Sequence, residues 1–498
     1  MMIRIKVFTI LALLALSYDC KAEESLVVGT SLSALQVNEL NSLVDSAVES
    51  QGIVGHSVTI LRNGKYLYSR SAGVNDLNSL ISINQDTIFP IYSITKLFTS
   101  ALVMKLVEQD KLDINRSIGD YIEVLPKNWE EISVSSLLAH SSGLPDFFSL
   151  GRSYSENPAD IIALIEDSPF VFETDTQVQY NSTNFLLLKM LIEKLYGNEF
   201  TEVVNKEFIK PFRLRRTQFS DVASEDSNRV ASNYYRDGNA LSSSKTPVLP
   251  EIMFAATGLQ SSAADLGIWL QLLLSGQYVS NKTLFNAWRP YSLNNGLVSD
   301  FSFGWQLQKE AKTTAVGHYG GNILNVRHFI VRNDTRESVT IVHLNNGGQK
   351  AEFNLFEYAY DLAKTVNSEV VLDSMEFIKS FTANAKTDDI QALGNKYQQF
   401  KSIAQKQNLN IEFMINELGY RFLSNQPEIA LSLFKWNLDS HPYSANAYDS
   451  YAEALLATEQ LQLAKLNYAK AYSLNPAYDN IPSIIADIDR RLAESHGD

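Results

Sequence analysis

The sequence predicts an α/β (α+β) fold: an antiparallel sheet flanked by helices, with a mostly helical lobe inserted in the middle, followed by an all-α repeat region. Three observations carry this expectation. Strand-like alternation appears at both ends of the region before residue 367, with helical periodicity between, which builds one sheet from distant parts of the chain. Asn63-Gly64 sits between two alternating runs, a strong short-range hairpin signal. Beyond residue 388, Ala430/Ala464, Phe434/Tyr468 and Pro442/Pro476 each recur 34 positions apart.

Taken in order, the chain starts on a targeting pattern. Arg4 and Lys6 are basic, 7–16 is apolar except for Thr9, and Cys20-Lys21-Ala22 places small residues at the cleavage positions. Residues 1–22 are therefore expected to be a cleaved signal peptide, and the protein periplasmic or secreted. A lipoprotein anchored at Cys20 is the alternative, disfavoured by Asp19 directly before the cysteine. The apolar run is too short to span a bilayer, and no later segment reaches the ~18 uninterrupted apolar residues a membrane helix needs. No transmembrane segment is expected in the mature chain. Cys20 is the only cysteine, so cleavage would leave none for disulfides, thiol catalysis or thiolate metal sites.

Within 37–48 the apolar residues fall on one helical face. Runs at 57–61 and 66–70 form the predicted hairpin. An apolar helix follows Phe89-Pro90-Ile91-Tyr92-Ser93-Ile94-Thr95-Lys96. From 113 to 249, helical runs (159–166, 184–195, 200–210) alternate with long polar loops. Another helix is expected at 265–274, strands at 302–307, 326–331 and 339–344, and a closing helix at 352–366. The expected division is a signal peptide at 1–22, a first domain at 23–366, a linker at 367–388 and helical repeats at 389–498. Stretches between 388 and 407 are expected to supply a capping pair of helices. With small residues at packing positions and a proline closing each unit, the 34-residue period resembles tetratricopeptide repeats.

At 45% hydrophobic and 20% charged residues, the composition is that of a globular protein. A net charge of −14, spread without an acidic block, argues against nucleic acid or an anionic membrane as partner.

Ser-x-x-Lys occurs three times, at Ser93/Lys96, Ser242/Lys245 and Ser432/Lys435. Only the first has a strand-like lead-in and a long apolar helix behind it. Residues i and i+3 share a helix face, so a neutral Lys96 amine can reach the Ser93 hydroxyl and take its proton. The helix N-terminus adds unpaired N–H groups and partial positive charge where an oxyanion would develop.

Six motifs then fall in order. They are 89–96; Leu137-Leu138-Ala139-His140-Ser141-Ser142-Gly143-Leu144-Pro145; Tyr180-Asn181-Ser182-Thr183-Asn184-Phe185; Ala256-Thr257-Gly258-Leu259; Phe303-Gly304-Trp305; and Gly317-His318-Tyr319-Gly320-Gly321. With these, residues from about 55 to 348 resemble the serine β-lactamase and penicillin-binding-protein superfamily. The resemblance is to its class C-like branch, which also contains esterases and D-amino-acid-directed peptidases. It implies a β-lactamase/DD-peptidase-like fold, with Ser93, Lys96 and Tyr180 as catalytic residues. It further implies an oxyanion hole of the Ser93 and Gly321 N–H groups, and substrate contact by Ser182, His318 and Gly320. His140 reads as a structural loop residue.

Two positions depart from the pattern. Where the tyrosine motif commonly has asparagine, this chain has Ser182, with one donor and shorter reach. Where β-lactamases have the lysine of Lys-Thr-Gly, it has His318, which when neutral holds a carboxylate poorly. The expected function is thus an exported serine hydrolase acting through an acyl-enzyme on an ester or a D-amino-acid-containing peptide or amide. A true β-lactamase or DD-carboxypeptidase is the alternative. A reading of another class is a catalytically weak scaffold that binds through its repeats. Partners implied are a small-molecule or peptide substrate, and a protein partner or second copy at the repeats. No His-Glu-x-x-His or Cys/His cluster suggests a metal, no Gly-rich phosphate loop suggests a nucleotide, and no cofactor is implied. The absence of Gly-x-Ser-x-Gly removes an α/β-hydrolase triad.

Overall fold

The computed structural model describes residues 26–27, 32–150, 155–220, 229–238, 240–244, 249–332, 334, 336–350, 352–407, 409–476, 478 and 480–494. The signal peptide expected at 1–22 and Lys245 of the second Ser-x-x-Lys lie outside them.

Asn63 and Gly64 have φ of 52° and 69°, both in the left-handed region that a two-residue hairpin turn with right-handed strand twist demands. They join Gly55–Arg62 to Lys65–Gly73, two strands longer than the alternation marks. These become central through pairing with the far end of the domain. The sheet order is Leu26–Val27, Lys65–Gly73, Gly55–Arg62, Ser338–Asn345, Leu324–Val331, Thr313–Gly320, Trp305–Lys309, Phe301–Ser302, antiparallel throughout. Leu324–Val331 and Ser338–Asn345 are buried along their whole length, because both sheet faces are covered.

One face, carrying Val58, Ile60, Ala315, Phe329 and Ile341, packs against helices Ala34–Glu49 and Leu355–Val366. A capping box between Ser33 and Gln36 starts the first of these, and its Leu40, Val44 and Ala47 face inward. The other face, carrying Val316, Val326, Ile330 and Val342, packs against the inserted helical lobe. There Thr95–Glu108 is buried nearly all round, as expected of an apolar helix without a polar face. Phe98 stacks on Trp269 of helix Ala263–Leu274 at 4.0 Å. The lobe's helices include Val134–Leu138, Pro158–Ile165, Ser182–Tyr196 and Phe200–Val204.

Three features differ from the sequence reading. The strand expected at 302–307 is split, because Phe303 and Gly304 turn the chain at φ of 52° and 78°. Strand Thr313–Gly320 is buried on both faces apart from Tyr319, so it shows no alternation to read. The stretch expected as a linker at 367–388 carries helix Asp373–Asn384, whose Ser374, Met375, Ile378 and Phe381 are buried. It pairs with Ile390–Gln407, a single helix where a pair was expected.

After these come two helical hairpins, Ile411–Leu423 with Pro427–Ser440 and Ala445–Ala457 with Leu461–Leu474, then Ile481–Glu494. The helix starts recur 34 positions apart, from Ile411 to Ala445 and from Pro427 to Leu461. Close packing within the first hairpin is set by Gly419: a Cβ there would stand 2.3 Å from the Phe434 ring. The core beneath the sheet continues without a break through Leu393, Tyr397, Ile415, Leu418, Phe422 and Phe434.

Candidate active site

Ser93 lies where a strand end turns directly into a helix. Phe89–Pro90 pairs with Leu259–Ser261, the Ile91 N–H donates to Leu259 O at 3.0 Å, and Tyr92 adopts φ of 44°. That conformation is costly for a bulky side chain and persists only where its surroundings enforce it. Here the neighbouring motif does so: the Leu259 N–H donates to Thr95 Oγ1 at 3.2 Å, and Thr99 Oγ1 donates to Ala255 O at 2.7 Å. A single 3-10 turn, Tyr92–Ile94, then presents Ser93 ahead of Thr95–Glu108.

Lys96 Nζ donates to Ala256 O at 2.9 Å and stands 3.5 Å from Ser93 Oγ. Its side chain is 1% exposed, with the rings of Tyr180 and Phe185 at 4.8 and 4.9 Å from the amine. Burial pulls its pKa down to about 7, against an upward pull from Asp146. The first turn of the helix thus supplies an amine that is partly neutral at physiological pH.

Tyr180 OH donates to Ser93 Oγ at 2.7 Å. Asn181, the next residue, caps helix Ser182–Tyr196 by accepting the Thr183 and Asn184 N–H groups, and donates to Leu144 O at 2.6 Å. Beneath the phenol lies His140, with ring centres 4.6 Å apart. Its Nδ1 faces the Asn181 N–H at 3.1 Å and so acts as the acceptor; burial holds its pKa well below the usual range. His140 is structural, as expected, and the structure it holds is the seat of Tyr180. Desolvation raises the pKa of the phenol, and 40% of the residue remains exposed.

His318 faces the same site from strand Thr313–Gly320, with the rings of Tyr180 and Phe301 at 5.8 and 6.0 Å. Its Nδ1 donates to Tyr319 O at 2.7 Å, which leaves Nε2 as a buried acceptor without a protein partner. Burial, with Lys96 nearby, lowers its pKa to about 3, so the ring is neutral. Gly320 and Gly321 let the strand end press on the Ser93 turn. A Cβ on Gly320 would stand 2.5 Å from Ile91 O, and one on Gly321, at φ of 54°, 2.6 Å from the Tyr92 ring. Ser182 opens its helix in a buried position, and its N–H donates to Asp146 Oδ1 at 3.1 Å.

The structure brings Lys96, Tyr180, His318, Gly320 and Gly321 together with the Ser93 turn, and Ser182 lies two residues beyond Tyr180. It adds Asp146, which the sequence reading passed over. Its electrostatic influence on both Lys96 and Tyr180 places it at the site. Its position directly after the 137–145 motif was the available signal. Of the other Ser-x-x-Lys pairs, Ser432/Lys435 lies on a surface helix where Lys435 pairs with Asp439.

The family model described as Beta-lactamase matches residues 40–364. The chain belongs to the Beta-lactamase family. As a member it has the fold of a family of serine hydrolases, and residues 365–498 lie beyond the matched region. Among curated relatives, "Protein flp" of Staphylococcus aureus (strain MW2) is 21% identical over 349 residues, covering 67% of this chain and 66% of its own. The chain thus spans just under two thirds of that relative's length. Among solved structures, the octameric penicillin-binding protein homologue from Pyrococcus abyssi is similar with a TM-score of 0.58 at 23% identity, covering 70% of this chain and 81% of that one. The D-amino acid amidase from Ochrobactrum anthropi SV3 superposes with a TM-score of 0.53 at 21% identity, covering 68% and 96%.

Proposed function

We propose that this Beta-lactamase family member is an exported serine hydrolase that works through an acyl-enzyme on an ester or a D-amino-acid amide or peptide. One observation carries the reading: the Ser93 hydroxyl lies 2.7 Å from the Tyr180 hydroxyl and 3.5 Å from a Lys96 amine whose pKa is lowered to about 7. Ser93 attacks the carbonyl. Its proton passes to Lys96, directly or through Tyr180, and returns to the leaving group by the same route. With its pKa raised, the phenol stays neutral and relays a proton rather than acting as a standing tyrosinate. The N–H groups of Ser93 and Gly321 hold the oxyanion, and water then releases the acyl group.

Neutral His318 supports esters and amides over β-lactams, since it supplies no positive charge for a carboxylate. The D-amino acid amidase among the structural relatives is consistent with that choice. Export rests on the targeting pattern of residues 1–22. We read the C-terminal hairpins as tetratricopeptide-like repeats, on their 34-residue recurrence. The test is labelling by a fluorophosphonate probe. Wild type should label and Ser93→Ala should not; equal labelling of both sinks the mechanism.

A further inference from the structure

The two halves of the site stand on different supports. Ser93 and Lys96 belong to the turn and helix that open the inserted lobe, and Tyr180 to the segment before helix Ser182–Tyr196. His318, Gly320 and Gly321 belong to the end of strand Thr313–Gly320. Their alignment on Ser93 depends on what holds that strand from its other face. Side chains alternate along a strand, so Tyr319 points away from the side of His318. Its ring meets the Arg327 guanidinium of the paired strand at 4.2 Å. Arg327 is buried and also donates to Gln306. Phe356 lies over the same guanidinium at 5.3 Å. Asn325, directly across from Tyr319, donates to Leu355 O at 3.0 Å. The start of helix Leu355–Val366 is thus fixed to the residues that hold Tyr319. One residue on, Glu357 accepts from Arg421 at 2.7 Å. Arg421 lies on helix Ile411–Leu423, outside the residues 40–364 that the family model matches. Their side chains are 15% exposed for Arg421 and 25% for Glu357, so the pair is screened less than a surface pair. The charges of Glu417 and Arg421 on this helix also act on Tyr319 itself.

Every link in this path is a contact or a neighbour in the chain, and it ends one residue from both His318 and Gly320. We propose that Arg421 is a positioning residue, through which the C-terminal helices set the placement of His318, Gly320 and Gly321 opposite Ser93. It touches no substrate. It holds Glu357, and with it the Phe356–Arg327–Tyr319 stack, where the strand end brings the Gly321 N–H to the oxyanion. The proposal rests on the acyl-enzyme reading of Ser93, and extends the working site to helices beyond the matched region.

Full-length wild type and Arg421→Gln test this on p-nitrophenyl acetate, with active sites counted by the fluorophosphonate taken up at completion. Per labelled site, kcat should fall about threefold or more in Arg421→Gln. The rate constant of fluorophosphonate uptake should fall in parallel, since the phosphoryl oxygen takes the oxyanion's place; this readout does not depend on the ester chosen. The midpoint of the pH profile of kcat/KM should stay at its wild-type value, because Lys96 and Tyr180 stand on the other support. A merely structural role would lower the number of labelled sites and leave kcat per site unchanged. Tyr319→Leu, which removes the stacked ring, should show a similar loss. The double variant should be no slower than Tyr319→Leu alone, because the path is already cut. A smaller fall per site in Arg421→Gln overturns the proposal, as do a moved midpoint or fully additive losses in the double variant. If Ser93→Ala still takes up fluorophosphonate like wild type, the acyl-enzyme reading falls and this one with it. If uptake requires Ser93 and Arg421→Gln matches wild type per site, only the role of Arg421 falls.

Discussion

In the proposed mechanism, proton movement at Ser93 depends on which neighbour is neutral at working pH. Lys96 is the titrating group, because burial brings its pKa down to about 7 while Tyr180 is pushed up. Below that value the amine is protonated and cannot take the serine proton; above it the amine is free. kcat/KM should therefore rise with pH through about 7 and level off above it, as measured with a neutral ester whose own charge is constant across the range. A profile flat from pH 5 to 9 would mean that Lys96 is not the base. Individual residues at this scale were readable where chemistry restricts the choice, as for Ser93, Lys96 and Tyr180. Asp146 was passed over, since its one signal, a place directly after the 137–145 motif, does not by itself distinguish it from a loop residue.

The elements around the site act as holders. Asn181 caps helix Ser182–Tyr196 through the Thr183 N–H at 2.7 Å, ties it to Leu144, and thereby fixes the residue before it, Tyr180. Asn181→Ala should cost about 1–3 kcal/mol, combining a lost cap with an unpaired buried carbonyl. Thermal unfolding reads that cost, and kcat should fall with it because the phenol loses its seat; unchanged kcat would show that His140 alone positions Tyr180. Strand Thr313–Gly320 is held from behind as well. Tyr319, between His318 and Gly320, lies over the buried Arg327 guanidinium at 4.2 Å, and Phe356 of the closing helix lies 5.3 Å from it. Arg421 on helix Ile411–Leu423 pairs with Glu357 of the same closing helix at 2.7 Å. Ala34–Glu49, with one wet face, is legible from periodicity, and the hairpin is legible from its Asn63-Gly64 turn. Thr313–Gly320 is not, because burial on both faces removes the pattern.

For the molecule as a whole, the decisive fact is that the core under the sheet runs on into the C-terminal helices as far as Phe434 and Ala454. Removing residues 389–498 would take Phe422 from Phe381 and Arg421 from Glu357 of Leu355–Val366, and would cut the shared core. The full chain should thus unfold in one cooperative calorimetric transition up to this boundary, and the truncated chain should be markedly less stable or aggregate. Two well-separated transitions, or a truncated chain as stable as the full one, would show that the two parts are independent. The sequence by itself determined the layered architecture, the candidate serine–lysine–tyrosine set and the 34-residue helical period. Each of these is written in short-range constraints: alternation, i to i+3 spacing, a turn that needs positive φ. Only the tertiary structure decided that His318 is neutral, that Asp146 lies near Lys96 and Tyr180, and that the stretch 367–388 carries a packed helix, Asp373–Asn384. Those outcomes depend on burial and on distances between residues far apart in the chain, and local pattern carries neither.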